Sequence, residues 1–109
     1  HSGKTRARET AEMMGTWLNP DLVPLAKPGL APLDDVREAA AQIQRSDGGL
    51  MIVGHLPHLM KLTSVVLGVP ESLPVVEFKP GTVLCLEDSM LGHPTIAWML
   101  SPELTGRLP

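Results

Sequence analysis

The sequence is poor in cysteine and in aromatic residues, and it has no tyrosine. Its 109 residues contain one cysteine, one phenylalanine and two tryptophans. A single cysteine excludes an internal disulfide framework and favours a reducing compartment, so we expect a cytoplasmic protein. Because aromatic residues make up only 3% of the chain, aliphatic side chains must build the core. The hydrophobic fraction of 43% is nevertheless typical of a globular protein.

Positive charge and long apolar runs are also scarce. The net charge of −3 provides no basic field for nucleic acid or for an anionic membrane surface. No apolar stretch reaches the ~20 residues that span a bilayer, and no signal-peptide pattern is present. We therefore expect neither a nucleic-acid partner nor a membrane partner. Residue 1 is histidine, and the residues after it do not resemble a tag, so we expect the chain to begin inside a longer protein.

Hydrophobic periodicity predicts helices in the first half of the chain. Ser2 is a candidate N-cap for the first helix, which carries apolar residues at helical spacing as far as Leu18. Residues 19–33 contain four prolines and are predicted to be a connector. Asp34 or Asp35 can cap a second helix, which ends before the glycine pair at positions 48 and 49.

A strand, a third helix and further strands are predicted to follow. The apolar run 50–53 is typical of a short strand buried on both faces. Pro57 at a first helical position starts a helix that reaches Gly68. Three later strands are expected over Val75–Lys79, Thr82–Glu87 and Thr95–Leu100, with a hairpin turn at residues 91–94. This order predicts an α/β layer fold with a partly antiparallel edge.

His55 lies between the predicted strand and the third helix, where α/β folds bind ligands. Free backbone N–H groups and the helix dipole at such a junction favour an anion such as phosphate. A purely structural histidine in this loop remains an alternative interpretation. His55 and His58 do not have the spacing of a zinc helix, and no second ligand cluster is apparent, so we expect no metal. We expect His58 at the helix start or the pocket rim, and His93 in a turn without a role.

Arg6 is the candidate anion ligand in the first turn of the first helix. A guanidinium can hold two phosphate oxygens at once and keeps its charge. Arg8 points about 200° away around the helix, so we expect Arg8 and also Lys4 to be solvated. Gly3-Lys4-Thr5 matches the end of a P-loop, but the predicted strand 50–53 leads into Gly-His rather than into an acidic Mg²⁺ ligand. The P-loop interpretation is therefore disfavoured.

Three segments together resemble one family. Residues 2–11, SGKTRARETA, resemble the "S-x-x-x-R-A-x-x-T-A" helix start of the histidine phosphatase superfamily, which has the phosphoglycerate-mutase-like fold. Residues 52–59, IVGHLPHL, resemble its second histidine motif in the form typical of small phosphohistidine phosphatases of the SixA type. Residues 78–83 and 96–102 resemble the C-terminal end of that group. The resemblance covers essentially the whole chain.

The resemblance implies a fold and a domain organisation. Residues 1–109 would be a single domain, the C-terminal portion of a histidine phosphatase domain. Its fold would be a three-layer α/β/α sandwich with a mostly parallel sheet and an antiparallel edge, lacking its first strands here. The absent first strand, expected beside residues 50–53, would carry the family's nucleophilic histidine in an Arg-His-Gly motif. No Arg-His-Gly occurs in this sequence, so we expect these residues alone to be inactive.

The resemblance also implies a role for each matching residue. Arg6 would clamp the phosphoryl oxygens, and His55 would donate a hydrogen bond to the phosphoryl group and stabilise its transition state. The backbone N–H of Leu56 would add a donor. Asp34 or Asp35 is a candidate acid for the leaving group, although helix capping is the favoured interpretation of both. No cofactor is implied.

The implied activity is hydrolysis of phosphohistidine on a protein, or of a small phosphate ester, through a phosphohistidine intermediate. Because the nucleophile is absent from the sequence, a non-catalytic phosphate-binding or protein-interaction module is the alternative. A phosphoglycerate-mutase-type isomerase is disfavoured, since the spacer between the first helix and His55 is too short for a substrate-covering insert.

Overall fold

The computed structural model describes residues 1–46 and 48–102. It contains three helices, α1 (Thr5–Leu18), α2 (Arg37–Arg45) and α3 (His58–Val66), followed by two strands, β1 (Val83–Asp88) and β2 (Pro94–Leu100). The strands form a two-stranded antiparallel sheet. The predicted α/β class is thus confirmed. None of the helices within the described ranges has the length and apolar character needed to cross a membrane.

Helix α1 begins later than the sequence predicts. Lys4 occupies the N-cap position, and no side chain caps the helix there. Gly3 has a φ of +86°, which places a left-handed residue between Ser2 and the helix. The Ser2 hydroxyl instead accepts a hydrogen bond of 3.3 Å from the Lys4 backbone N–H. The prediction of Ser2 as N-cap is therefore wrong, because Gly3 and Lys4 separate Ser2 from the first residue of the helix. The predicted end of the helix at Leu18 is confirmed.

The core lies between α2 and α3. Its buried members are aliphatic residues of both helices and of the connector before α2: Leu30, Val36, Ala39, Ala40 and Leu62. Ile52 and Leu59 pack against this cluster. Ala39 and Ala40 are the buried residues of α2. From α1 the core receives only small side chains, since the buried residues of that helix are Ala7 and Ala11.

Two predicted strands do not form. Residues 50–53 and 75–79 have no strand structure, and Leu50 and Met51 are 45% and 43% exposed. The prediction of a strand buried on both faces is therefore wrong for residues 50–53. An apolar run becomes a strand only when another strand completes its hydrogen bonds. Neither segment has such a partner among the described residues.

The predicted hairpin is confirmed. Strands β1 and β2 pair from Val83 with Leu100 to Asp88 with Pro94, and an irregularity lies between Cys85 and Leu86. In the turn, the Ser89 N–H donates to the His93 carbonyl at 2.9 Å. Gly92 has a φ of +75°, a conformation that glycine adopts without steric cost.

The start of the chain pairs with the connector. The His1 nitrogen donates to the Leu25 carbonyl at 3.0 Å, and the Lys27 N–H donates to the His1 carbonyl at 2.9 Å. The two partners of His1, Leu25 and Lys27, lie on either side of residue 26. This is the hydrogen-bond pattern of a residue paired in the parallel direction. The two bonds hold the segment that leads into α1 against residues 25–27.

Candidate functional site

The central contact of the site joins two distant parts of the sequence. The Ser2 hydroxyl lies 2.6 Å from His55 Nε2, across 53 residues of chain. Ser2 belongs to the segment that leads into α1, and His55 lies two residues before the N-cap of α3. The contact therefore brings the two motifs that the sequence singled out to the same place.

The backbone around His55 is held by the start of α3. The Leu59 N–H donates to the His55 carbonyl at 2.9 Å, and the Lys61 N–H donates to the Pro57 carbonyl at 3.1 Å. A Cβ on Gly54 would lie 3.3 Å from Leu59 Cδ2, so this close approach favours glycine before His55. These contacts orient the loop so that the half-buried His55 ring meets Ser2.

The surroundings of His55 favour its neutral form. Its pKa is lowered from the usual 6.5, first by burial, then by the positive charge of Lys4 and by His58. At neutral pH the imidazole therefore carries one proton, so one ring nitrogen is a donor and the other is an acceptor. Lys4 is exposed, as expected, but its charge acts on His55, which the sequence pattern did not indicate.

Arg6 is an exposed cation in the first turn of α1. Within residues 1–46 and 48–102 its guanidinium forms no hydrogen bond or ion pair. The backbone N–H of Leu56 likewise donates to no group in these ranges. Arg8, in contrast, has its Nε 3.9 Å from Glu12 Oε1 along the same helix. Two of the predicted anion ligands, Arg6 and the Leu56 N–H, thus retain free donors.

His58 differs from its prediction. It is the first residue of α3, as expected, but its side chain is 0% exposed and does not lie at a rim. Both ring nitrogens lack a hydrogen-bond partner in the described part of the chain. His58 precedes the buried Leu62 by four residues, so the two share a helix face that points into the core. That spacing is a sequence signal that would have indicated burial.

The remaining candidates interact with their own segments. Asp34 Oδ2 accepts a hydrogen bond of 3.0 Å from the Ala31 N–H. Asp35 Oδ1 accepts one of 2.9 Å from the N–H of Arg37, the first residue of α2. Both aspartates are exposed and act as local turn and helix-start acceptors. His93 lies in the hairpin turn, where its Nδ1–H donates to the Pro94 carbonyl at 2.8 Å.

The structure also has a groove and a free cysteine, and both lie outside this site. A groove of about 480 Å³ is lined by parts of residues 75–79 and by Ile96 and Met99, and none of the candidate residues lines it. Among the residues that the structure describes, no group of three or more His, Cys, Asp and Glu side chains is arranged to hold a metal ion. Cys85 is a free, half-buried thiol in β1.

No protein-family model, no curated protein and no solved structure matches the chain. The arrangement itself is a neutral imidazole next to a lysine, with an unpaired arginine in the first turn of α1. Such a set of donors can bind an anion and can donate hydrogen bonds to its oxygens.

Proposed function

We propose that these residues form the phosphate-binding part of a phosphohistidine phosphatase of the histidine phosphatase superfamily. Arg6 binds the phosphoryl oxygens, and His55 donates a hydrogen bond that strengthens in the transition state. The Leu56 N–H is a further donor. The substrate class is a phosphohistidine protein or a small phosphate ester.

One observation carries this proposal. The 2.6 Å contact between Ser2 and His55 joins the segment that leads to Arg6 with the loop that holds the histidine motif. Each motif alone is a moderate match, and a chance match gives no reason for the two to meet in space. The free guanidinium of Arg6 and the neutral ring of His55 support a site that binds an anion.

The nucleophile of the proposed reaction lies outside residues 1–109, since these contain no Arg-His-Gly. A histidine nitrogen of such a motif attacks phosphorus, and the bond from phosphorus to the substrate imidazole or alkoxide breaks. The leaving nitrogen or oxygen takes up a proton, and water then cleaves the new phosphorus–nitrogen bond to release phosphate. Arg6, His55 and the Leu56 N–H lower the barrier by binding the equatorial oxygens throughout.

The proposal includes the three-layer sandwich with a mostly parallel sheet. The parallel pairing of His1 with residues 25–27 supports it. So do residues 50–53, which are apolar and have unpaired backbone groups in the described structure. In the proposed fold, the strand that carries Arg-His-Gly lies beside residues 50–53 and brings its histidine to the site.

Phosphate release from a phosphohistidine protein tests the proposal in the natural protein, which here means the full-length protein in which these 109 residues occur. We expect His55→Ala to lower kcat by about 10²- to 10³-fold, the usual effect of removing one transition-state donor. His93→Ala, in the exposed hairpin turn, is the matched control and should keep the full rate. No turnover by the natural protein, or equal rates for both variants, contradicts the proposed enzyme.

The second candidate is a non-catalytic phosphate-binding or protein-interaction module. The absence of Arg-His-Gly from residues 1–109 favours it. Such a module binds phosphate through the same donors and releases none from any substrate. If the natural protein binds phosphate with Arg6 and His55 but turns nothing over, the module is the better description.

A further inference from the structure

We infer that Ser2 is a positioning residue that fixes the tautomer of His55, so that Nδ1–H is the donor offered to a phosphoryl oxygen. The role of Ser2 in substrate binding rests on the proposed function, but the contact between Ser2 and His55 does not depend on it. It deepens the site by naming the atom of His55 that meets the substrate and the residue that prepares it.

The first step is the use of the two ring nitrogens. Nε2 of His55 is 2.6 Å from the Ser2 hydroxyl. Nδ1 has no hydrogen-bond partner within residues 1–46 and 48–102. Only Nδ1 is therefore left to bind a ligand, and a nitrogen that donates must carry the proton.

The second step is the direction of the Ser2 hydrogen bond. A serine hydroxyl has one proton to donate and two lone pairs to accept with. The Lys4 backbone N–H already occupies a lone pair of the Ser2 oxygen, at 3.3 Å. When the hydroxyl proton points to Nε2, both groups are satisfied, and the single proton of the neutral ring is kept on Nδ1. In the opposite arrangement Nε2–H fills the second lone pair of Ser2, and the hydroxyl proton has no acceptor within residues 1–46 and 48–102. A hydrogen bond at one ring nitrogen selects the tautomer in this way.

The third step is the charge state. Burial, Lys4 and His58 lower the pKa of His55, so the neutral ring predominates at pH 7.5. A neutral ring has two tautomers, and only one of them can donate through Nδ1. Without Ser2, part of the population carries the proton on Nε2 and cannot bind a phosphoryl oxygen through Nδ1. The apparent affinity for the ligand then falls in proportion to the fraction of molecules that no longer have the Nδ1–H tautomer.

Long-range ¹H–¹⁵N NMR of the labelled chain at pH 7.5 tests this directly, because protonated and unprotonated ring nitrogens have very different ¹⁵N shifts. We expect the Nδ1–H tautomer of His55 in the wild type and in Ser2→Thr, which keeps the hydroxyl. Ser2→Ala should give a mixture of tautomers. Ser46→Ala is the matched control, because it removes a hydroxyl that donates to the Gly48 carbonyl, and it should keep the wild-type pattern.

Several outcomes overturn the inference. They are an Nε2–H tautomer in the wild type, an unchanged tautomer in Ser2→Ala, and a mixture in Ser2→Thr. The wild-type spectrum alone decides the direction of the hydrogen bond if Ser2→Ala does not fold. A wild-type chain without dispersed amide signals contradicts the contact itself.

Titration of the same samples with inorganic phosphate separates this inference from the proposed function. We expect Ser2→Ala to raise the apparent Kd by the inverse of its remaining Nδ1–H fraction. If the wild type shows the Nδ1–H tautomer but binds no phosphate, the role of Ser2 on His55 stands and the proposed function fails. If phosphate binds equally well to Ser2→Ala and to the wild type, the positioning role is overturned and the phosphate site stands.

Discussion

His55 has the charge properties of a neutral donor because of its immediate surroundings. After burial, the charge of Lys4 is the larger of the two remaining causes, and Lys4→Gln should raise the pKa of His55 toward its usual value. Lys27→Gln is the matched control, since Lys27 does not contribute to the His55 shift. An NMR titration of the His55 ring proton measures both variants. An identical shift in both, or none in Lys4→Gln, contradicts the assigned cause.

The same shift links the stability of the fold to pH. Because the folded pKa of His55 lies below the unfolded value of 6.5, the unfolded chain binds more protons between the two values. The contribution of His55 to stability is therefore present above pH 6.5 and is lost as pH falls through the folded pKa. Lys4 and His58 are the charged and titratable groups that act on it. A loss of stability as pH falls is the dependence expected of a histidine that is buried in its neutral form.

His58 lacks a hydrogen-bond partner for both ring nitrogens, although its side chain is wholly buried. An unsatisfied buried polar group costs about 1–3 kcal/mol, and an apolar side chain of similar size avoids that cost. We therefore expect His58→Leu to keep or increase the free energy of unfolding measured in urea. His58→Ala, which leaves a cavity, should decrease it. A large loss of stability in His58→Leu indicates a partner for the imidazole and contradicts its description as unsatisfied.

At the scale of elements, local signals were the ones that predicted structure. Helix α3 was predicted from Pro57, which lies at the N-cap rather than at the first helical position, and the hairpin was predicted from the turn residues at 91–94. Both depend on residues that are close in sequence. Residues 50–53 are all apolar, and residues 75–79 include three apolar side chains, but a strand also needs a partner from elsewhere in the chain. Apolar character alone does not reveal whether such a partner is available.

The turn between β1 and β2 contains a glycine whose backbone conformation should affect stability. Gly92 has a φ of +75°, and a Cβ there would meet no atom within 4 Å, so only the backbone conformation opposes alanine. Gly92→Ala should lower the free energy of unfolding by about 1 kcal/mol. Gly48→Ala is the matched control, because a Cβ at that position also meets no atom and the backbone is not left-handed. Equal urea midpoints for the two variants contradict the strained turn.

At the scale of the whole molecule, the site depends on segments that are far apart in sequence. His55 and its loop were predicted from the run 50–58, whose pattern is local. The contact with Ser2 and the charge effect of Lys4 were not predicted, because each requires residues about fifty positions away to meet in space. The burial of His58 was not predicted, although its spacing from Leu62 is a local signal for it, and its lack of partners depends on the packing of α3.

The central claim is that the start of α1 and the His55 loop together bind phosphoryl oxygens. Titration of the folded chain with inorganic phosphate, followed by NMR at His55, tests it most directly. Because charge-assisted hydrogen bonds contribute about 1.5–3 kcal/mol, Arg6→Ala should weaken binding by about tenfold or more. Arg8→Ala, two residues along the same helix and paired with Glu12, should bind as the wild type does. Equal affinities of Arg6→Ala and Arg8→Ala, or no binding by the wild type, would contradict the claim.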